Sequence, residues 1–183
     1  MKTIYLFLAE GFEETEAVAT IDMLRRAGLK VITVSISDQK KVRGSHLIEI
    51  TADRLFFDSD YSDGIMIILP GGMPGTTNLQ QYPPLRELII DYANQRKYLA
   101  AICAAPSVYG NLGLLEGKNA TCYPGFEDQL SGANLTNSNV VVNGQFITSK
   151  GPGSVFDFGA QIIEILESKE AATRVKTGML IHA

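Results

Sequence analysis

The chain is poor in the residues that staple or metallate small proteins. Among its 183 residues are two cysteines, Cys103 and Cys122, and two histidines, His46 and His182. Two cysteines cannot build a disulfide framework, and the four residues fall in no zinc-ligand spacing. The reading is of a reducing cytoplasm, with no metal and no cofactor. Surplus positive charge is also missing, since 16 Lys+Arg stand against 20 Asp+Glu, a net charge of −4. General nucleic-acid binders show a basic domain or stripe, so no nucleic-acid partner is expected. No apolar run approaches the roughly 18 residues of a membrane span. The apolar stretch at residues 4–9 runs directly into Glu10, Glu13 and Glu14. It is therefore read as a buried first strand rather than a signal peptide, which needs about 7–15 apolar residues and a cleavage site. Repeats, low-complexity tracts and linkers are absent as well.

What is present is ordinary globular composition, with 45% hydrophobic and 20% charged residues. A chain of this length buries roughly 70% of its unfolded surface and needs no staple. One domain, 1–183, is expected. Strand and helix patterns alternate along it. Apolar runs at 3–9, 31–36, 65–69 and 99–102 read as strands covered on both faces. From Thr15 a helix is expected, with Ala17, Val18, Ile21 and Leu24 on one face and a stop at Gly28. Pro83 and Pro84 open another, with Leu85, Leu88, Ile89 and Tyr92 at helical spacing. Residues 42–50 read as a small hairpin turning at Gly44-Ser45. Asn143-Gly144 between apolar runs signals a second, of type I′. Ser154 and Asp157 suggest a capping box opening a helix over 154–166, and a last helix is expected over 170–181. The alternation implies an α/β fold whose mostly parallel sheet carries helices on both faces. Such folds place their sites at the carboxyl ends of strands. That rule selects the loops after Ala9, Leu69, Ile102 and Thr148.

In the third loop a strand ends on Cys103, and small residues lead to Pro106 at the start of a helix. This has the logic of a nucleophile elbow, without that motif's outer glycines. A helix N-terminus there would lower the thiol pKa, and backbone N–H groups could receive an oxyanion. The same pattern also suits a small buried hydrophobe. Adjacent Gly71 and Gly72 permit close backbone approach, but their spacing fits neither a P-loop nor a dinucleotide fingerprint. Glu13, Glu14 and Glu16 open the first helix, where the dipole alone favours acids. A functional reading needs one of them to face Cys103, and the spacing does not select which. His46 and His182 read as surface residues, so a Cys-His dyad is unsupported. Cys122 is read as packing.

The segments Leu8-Ala9-Glu10-Gly11-Phe12-Glu13-Glu14-Thr15-Glu16, Arg25-Arg26-Ala27-Gly28, Leu69-Pro70-Gly71-Gly72, Ala100-Ala101-Ile102-Cys103-Ala104-Ala105-Pro106 and Thr148-Ser149-Lys150-Gly151-Pro152-Gly153 resemble, in order and spacing, the ThiJ/PfpI superfamily. The resemblance covers nearly the whole chain. It is to the branch holding the parkinsonism-associated protein deglycase and its bacterial relatives. It implies a flavodoxin-like three-layer sandwich with small β-hairpins, and a homodimer with the first helix at its interface. It also implies Cys103 as an oxidation-sensitive nucleophile and Glu16 as its protonated partner. The N–H groups of Gly72 and Ala104 would form an oxyanion pocket, with Gly71, Arg26, Tyr123 and Ser149 lining the cleft. Family activities include glutathione-independent glyoxalase, protein deglycation, chaperone action and oxidative-stress sensing. Older labels include thiazole monophosphate (thiamine) biosynthesis and intracellular peptidase.

Three positions depart from the family pattern. Tyr123 stands where human-type members carry a histidine, and Ala104 where the protease-like branch carries one. Both absences weigh against peptidase chemistry, which wants a Cys-His pair. Lys150 stands in place of an arginine. The implied function is a cofactor-free, cysteine-dependent glyoxalase or deglycase acting on reactive aldehydes such as methylglyoxal, or on glycated groups. The alternative is a sensor or chaperone in which Cys103 oxidises to sulfinate without turnover.

Overall fold

A computed structural model describes residues 3–181. The elements run β1 (Thr3–Leu8), α1 (Glu14–Arg26), β2 (Lys30–Ser35), β3 (Lys41–Arg43), β4 (Glu49–Thr51), β5 (Arg54–Leu55), β6 (Gly64–Leu69), α2 (Gly75–Gln80) and α3 (Pro83–Asn94). The chain continues through β7 (Tyr98–Ile102), α4 (Pro106–Asn111), β8 (Asn119–Ala120), β9 (Asn134–Leu135), β10 (Val140–Asn143), β11 (Phe146–Ser149), α5 (Val155–Leu166) and α6 (Lys169–Gly178). Seven strands form the main sheet in the order β10-β11-β7-β6-β1-β2-β5. Every pair is parallel except β10 with β11.

The continuous apolar strands are explained by the two layers that cover them. Along β1, Ile4, Leu6 and Leu8 face one core and Tyr5 and Phe7 the other, the period of two that a strand imposes. The first core is closed by α1, α5 and α6 through Met23, Leu24, Phe158, Ile162 and Val175. The second is closed by α2, α3 and α4 through Leu79, Leu85, Ile89, Tyr92 and Tyr109. This is the expected three-layer sandwich. The carboxyl ends of β11, β7, β6 and β1, neighbours in the sheet, bring the four selected loops to one edge. Among the described residues, no helix is long and apolar enough to cross a membrane.

Several local expectations need correction. In α1, Val18 is 47% exposed, while Glu14, Glu16 and Thr20 are buried beside Ala17, Met23 and Leu24. Two carboxylates with hydrogen-bond partners, Glu14 and Glu16, are buried on this helix, and Val18 is left outside. The second hairpin turns one residue later than expected. Asn143 pairs with Phe146, so Gly144 and Gln145 form the loop. Only Gly144 has a positive φ there, +61°, which is the type II′ pattern with glycine first. Ser154 does not cap α5; its hydroxyl instead contacts Ser149 Oγ at 2.7 Å and Gly151 O at 2.9 Å. The last helix ends at Gly178, short of Ile181. The β3–β4 hairpin forms as expected, with its loop over residues 44–48. His182 lies outside the described residues.

Candidate active site

Three glutamates open α1, and the fold gives each a different task. Glu13 caps the helix, its Oε2 accepting the N–H of Glu16 at 2.6 Å. Glu14 turns outward to the β3–β4 hairpin and accepts from His46 N at 2.6 Å, with His46 Nδ1 at 2.8 Å from its other oxygen. These contacts hold the Glu14 carboxyl below its usual range despite its burial. Glu16 alone turns toward the sheet edge, fully buried. Its Oε2 accepts the N–H of Gly71 at 2.8 Å. Its Oε1 is buried with no hydrogen-bond partner among the described residues.

Cys103 ends β7 at the same place. Its backbone sits in the left-handed region, φ +65°, which costs a residue bearing a Cβ roughly 1–2 kcal/mol. The neighbouring strands hold it there. Its N–H donates to Ser149 O at 2.9 Å, and its carbonyl accepts from Tyr123 N at 2.8 Å. The side chain, 9% exposed, reaches the Glu16 carboxyl and the N–H groups of Ala104 and Gly72. A Cβ added at Gly71 would lie 2.6 Å from Cys103 Cβ and 2.9 Å from Glu16 Oε2. Glycine is therefore what lets the Cys103 side chain and the Glu16 carboxyl approach each other.

The loops after β1 and β6 interlock with equal economy. Glu13 N donates to Gly71 O at 2.8 Å, and Gly75 N donates to Gly11 O at 3.2 Å. A Cβ at Gly72 would lie 2.4 Å from Glu13 N, and one at Gly75 would lie 2.6 Å from Phe12 N. Gly11 and Gly72 also take positive φ, +84° and +89°. Sequence reasoning did not single out Gly11 and Gly75 as site residues. The available signal was a glycine in each loop that leaves a buried strand.

The electrostatics follow from burial. It raises the Glu16 carboxyl to about 7, against the opposing Gly71 N–H and Cys103 contacts. Burial and the Glu16 carboxyl together push the Cys103 thiol up to about 12, against the N–H groups of Ala104 and Gly72. The lowered thiol pKa expected from a helix N-terminus is therefore corrected. The α4 helix is one short run, and desolvation beside a carboxyl outweighs its dipole. When Glu16 is protonated, its charge no longer opposes ionisation of the thiol, so the two groups titrate as a linked pair.

Cys103, Glu16, Gly71, Gly72 and Ala104 thus come together as expected. Tyr123 stands at the rim, half exposed, against Gly151 and a depression of about 350 Å³ that Lys150 and Pro152 also line. Two other expected cleft residues point elsewhere in this single chain. Ser149 is buried behind Cys103, its hydroxyl donating to Asn139 O at 2.9 Å, so it braces the elbow through its backbone. Arg26 pairs with Asp22 at 2.7 Å at the far end of α1, about 15 Å from Glu16 by helical rise. Glu13, Glu14 and His46 each bring a ligand atom within 4.8 Å of the others. Their hydrogen bonds to the helix cap and the hairpin account for that cluster.

A "DJ-1/PfpI family" sequence model matches residues 2–165. The chain is 40% identical to Protein DJ-1 homolog B of Arabidopsis thaliana, covering 99% of itself but only 42% of that relative's length. It is 32% identical to the glutathione-independent glyoxalase DJR-1.2 of Caenorhabditis elegans, covering 91% of itself and 89% of the relative. The oxidized DJ-1 of Toxoplasma gondii superposes over 100% of both chains with a TM-score of 0.96 at 35% identity. A family model over residues 2–165, relatives of 32–40% identity and a fold shared end to end with the Toxoplasma protein place the chain in the DJ-1/PfpI family.

Proposed function

We propose that the chain is a cofactor-free glyoxalase or deglycase-type enzyme acting on reactive aldehydes such as methylglyoxal. The observation that carries this reading is Glu16: fully buried, raised toward neutrality, and left with one unpartnered oxygen beside Cys103. A buried carboxyl poised near neutral pH suits proton transfer. The Cys103 sulfur adds to the aldehyde carbon, and its proton passes to the carbonyl oxygen, giving a hemithioacetal. Glu16 removes the proton from that carbon to form an enediol and returns one to the adjacent carbon, leaving a thioester. Water cleaves the thioester to lactate and restores the thiol. The sum is methylglyoxal plus water to lactate, with no net redox change. The N–H groups of Gly72 and Ala104 stabilise the developing oxyanion.

The similarity to a glyoxalase supports the reading. Homodimer assembly and a cytoplasmic location are part of the same proposal. The test is lactate formation from methylglyoxal without glutathione by wild type and Cys103→Ala side by side. Turnover that vanishes in the variant is expected; its absence from wild type would overturn the enzyme reading. A second reading, sulfinate formation at Cys103, has support in the oxidized form of the Toxoplasma relative. Its mark is a mass gain of about 32 Da after mild peroxide that is confined to Cys103 and lost in Cys103→Ala; addition at Cys122 instead would overturn it.

A further inference from the structure

Away from the active site, the connection after β5 packs four aromatic rings together and leaves one of them bare. Phe56 is buried, with Tyr61 at 5.2 Å and Tyr82 at 5.1 Å between ring centroids. Phe57 stands edge-on to Phe56 at 5.3 Å and 78°, and is itself 80% exposed. An aromatic residue this exposed on a cluster this ordered gains little for folding. Beside it opens a depression of about 380 Å³, whose other wall is α3 with Glu87, Leu88 and Asp91.

The α3 wall carries the second observation. Glu87 and Asp91 are four residues apart on one helical face, a like-charge spacing that disfavours the free helix. Neither has an ion-pair partner among the described residues. Asp91 accepts one hydrogen bond, from Gln95 Nε2 at 2.6 Å; Glu87 accepts none from a side chain among the described residues. Arg54, in the strand that leads into this connection, donates to Ser59 Oγ at 2.8 Å and pairs with neither carboxylate.

An exposed ring face opposite two unpaired carboxylates is the complement of a guanidinium. Such a group stacks flat on an aromatic face while its edge donates in parallel to a carboxylate. We propose that the Phe57–Glu87–Asp91 depression is a docking site for an arginine-bearing segment of a protein partner. This surface is independent of Cys103 and Glu16.

The test titrates an acetylated tri-arginine peptide into the ¹⁵N-labelled full chain, with the neutral isostere tri-citrulline as control. The expected result is saturable amide shifts confined to residues 55–61 and 84–91, weakened at least about fivefold by 0.5 M salt. Phe57→Ala and Glu87→Gln should each weaken binding about fivefold or more. Both side chains are exposed, so neither variant threatens the fold. Absence of shifts, equal binding of tri-citrulline, or unchanged binding by Phe57→Ala would each overturn the proposal. So would shifts at the same residues that follow protein concentration without peptide, because the occupant would then be a second copy of the chain.

Discussion

Cys103 and Cys122 are near neighbours with opposite characters. Tyr123, the residue after Cys122, donates its N–H to the Cys103 carbonyl. Both thiols are buried, and both are pushed up, to about 12 and about 11. By burial or acidity alone they would be indistinguishable. The difference lies in what surrounds them. Cys122 packs in the second core with ordinary backbone angles, its elevation due to burial and then to the charge of Glu127. Cys103 has a left-handed backbone, two N–H groups on its sulfur and a carboxyl that competes with it for a proton. Backbone strain and a neighbouring carboxyl, not acidity, set Cys103 apart from Cys122.

The largest expected effect separates the two cysteines by function. Glu16→Gln should cut methylglyoxal turnover by about 10²–10⁴-fold, whereas Cys122→Ser should leave it within about twofold. Lactate assays on both variants check this, and equal losses would erase the contrast. Next in size is Gly71→Ala. Its Cβ has no room between Cys103 and Glu16, so turnover should fall more than about tenfold, with a stability loss of about 1–3 kcal/mol in urea.

The pH dependence of stability isolates the Glu16 side of the comparison. Its folded pKa lies above the ordinary 4.5, at about 7. The folded state therefore binds the extra proton between these values, and stability must fall as pH rises through that window, by about 3 kcal/mol. Glu16→Gln should flatten that slope in urea titrations at pH 4.5 and 7.5, while Cys122→Ala should leave it in place.

A smaller effect probes the backbone. Glycine tolerates φ +65° freely, so Cys103→Gly should cost about 1–2 kcal/mol less than Cys122→Gly. Equal costs by thermal unfolding would mean that the elbow stores no strain. The smallest concerns Arg26. Asp22→Asn breaks an exposed i,i+4 pair and should shift stability by less than about 0.5 kcal/mol without changing turnover.

The sheet and its active edge were legible because the alternation of strand and helix patterns fixes which loops share a side. The apolar run of β1 and the proline pair that opens α3 are present in the structure as read. The glutamates did not read as clearly. Helix-dipole preference explains Glu13, Glu14 and Glu16 equally, and only the fold sends one to a cap, one to a hairpin and one to the cysteine. Val18 misled for the mirror-image reason: the apolar-inward rule fails where buried carboxyls have specific partners. Ser149 and Arg26 carried motif matches, which record chain position but not the direction a side chain faces or the length of a helix. Ser154 fitted a cap in sequence, yet the nearby Ser149 hydroxyl and Gly151 carbonyl offered its oxygen a tighter set of contacts.

The glycine dovetail between the loops after β1 and β6 also constrains how the pocket can change. At Gly11, Gly71, Gly72 and Gly75 even one methyl group would meet another atom at 2.7 Å or less. The backbone around Cys103 and Glu16 is thus closed to ordinary mutation. Gly153, by contrast, borders open space, and the Tyr123 ring is half in solvent. Variation is therefore open on that flank and shut at the Cys103 cradle, which stays a fixed die against which only the other jaw is recut.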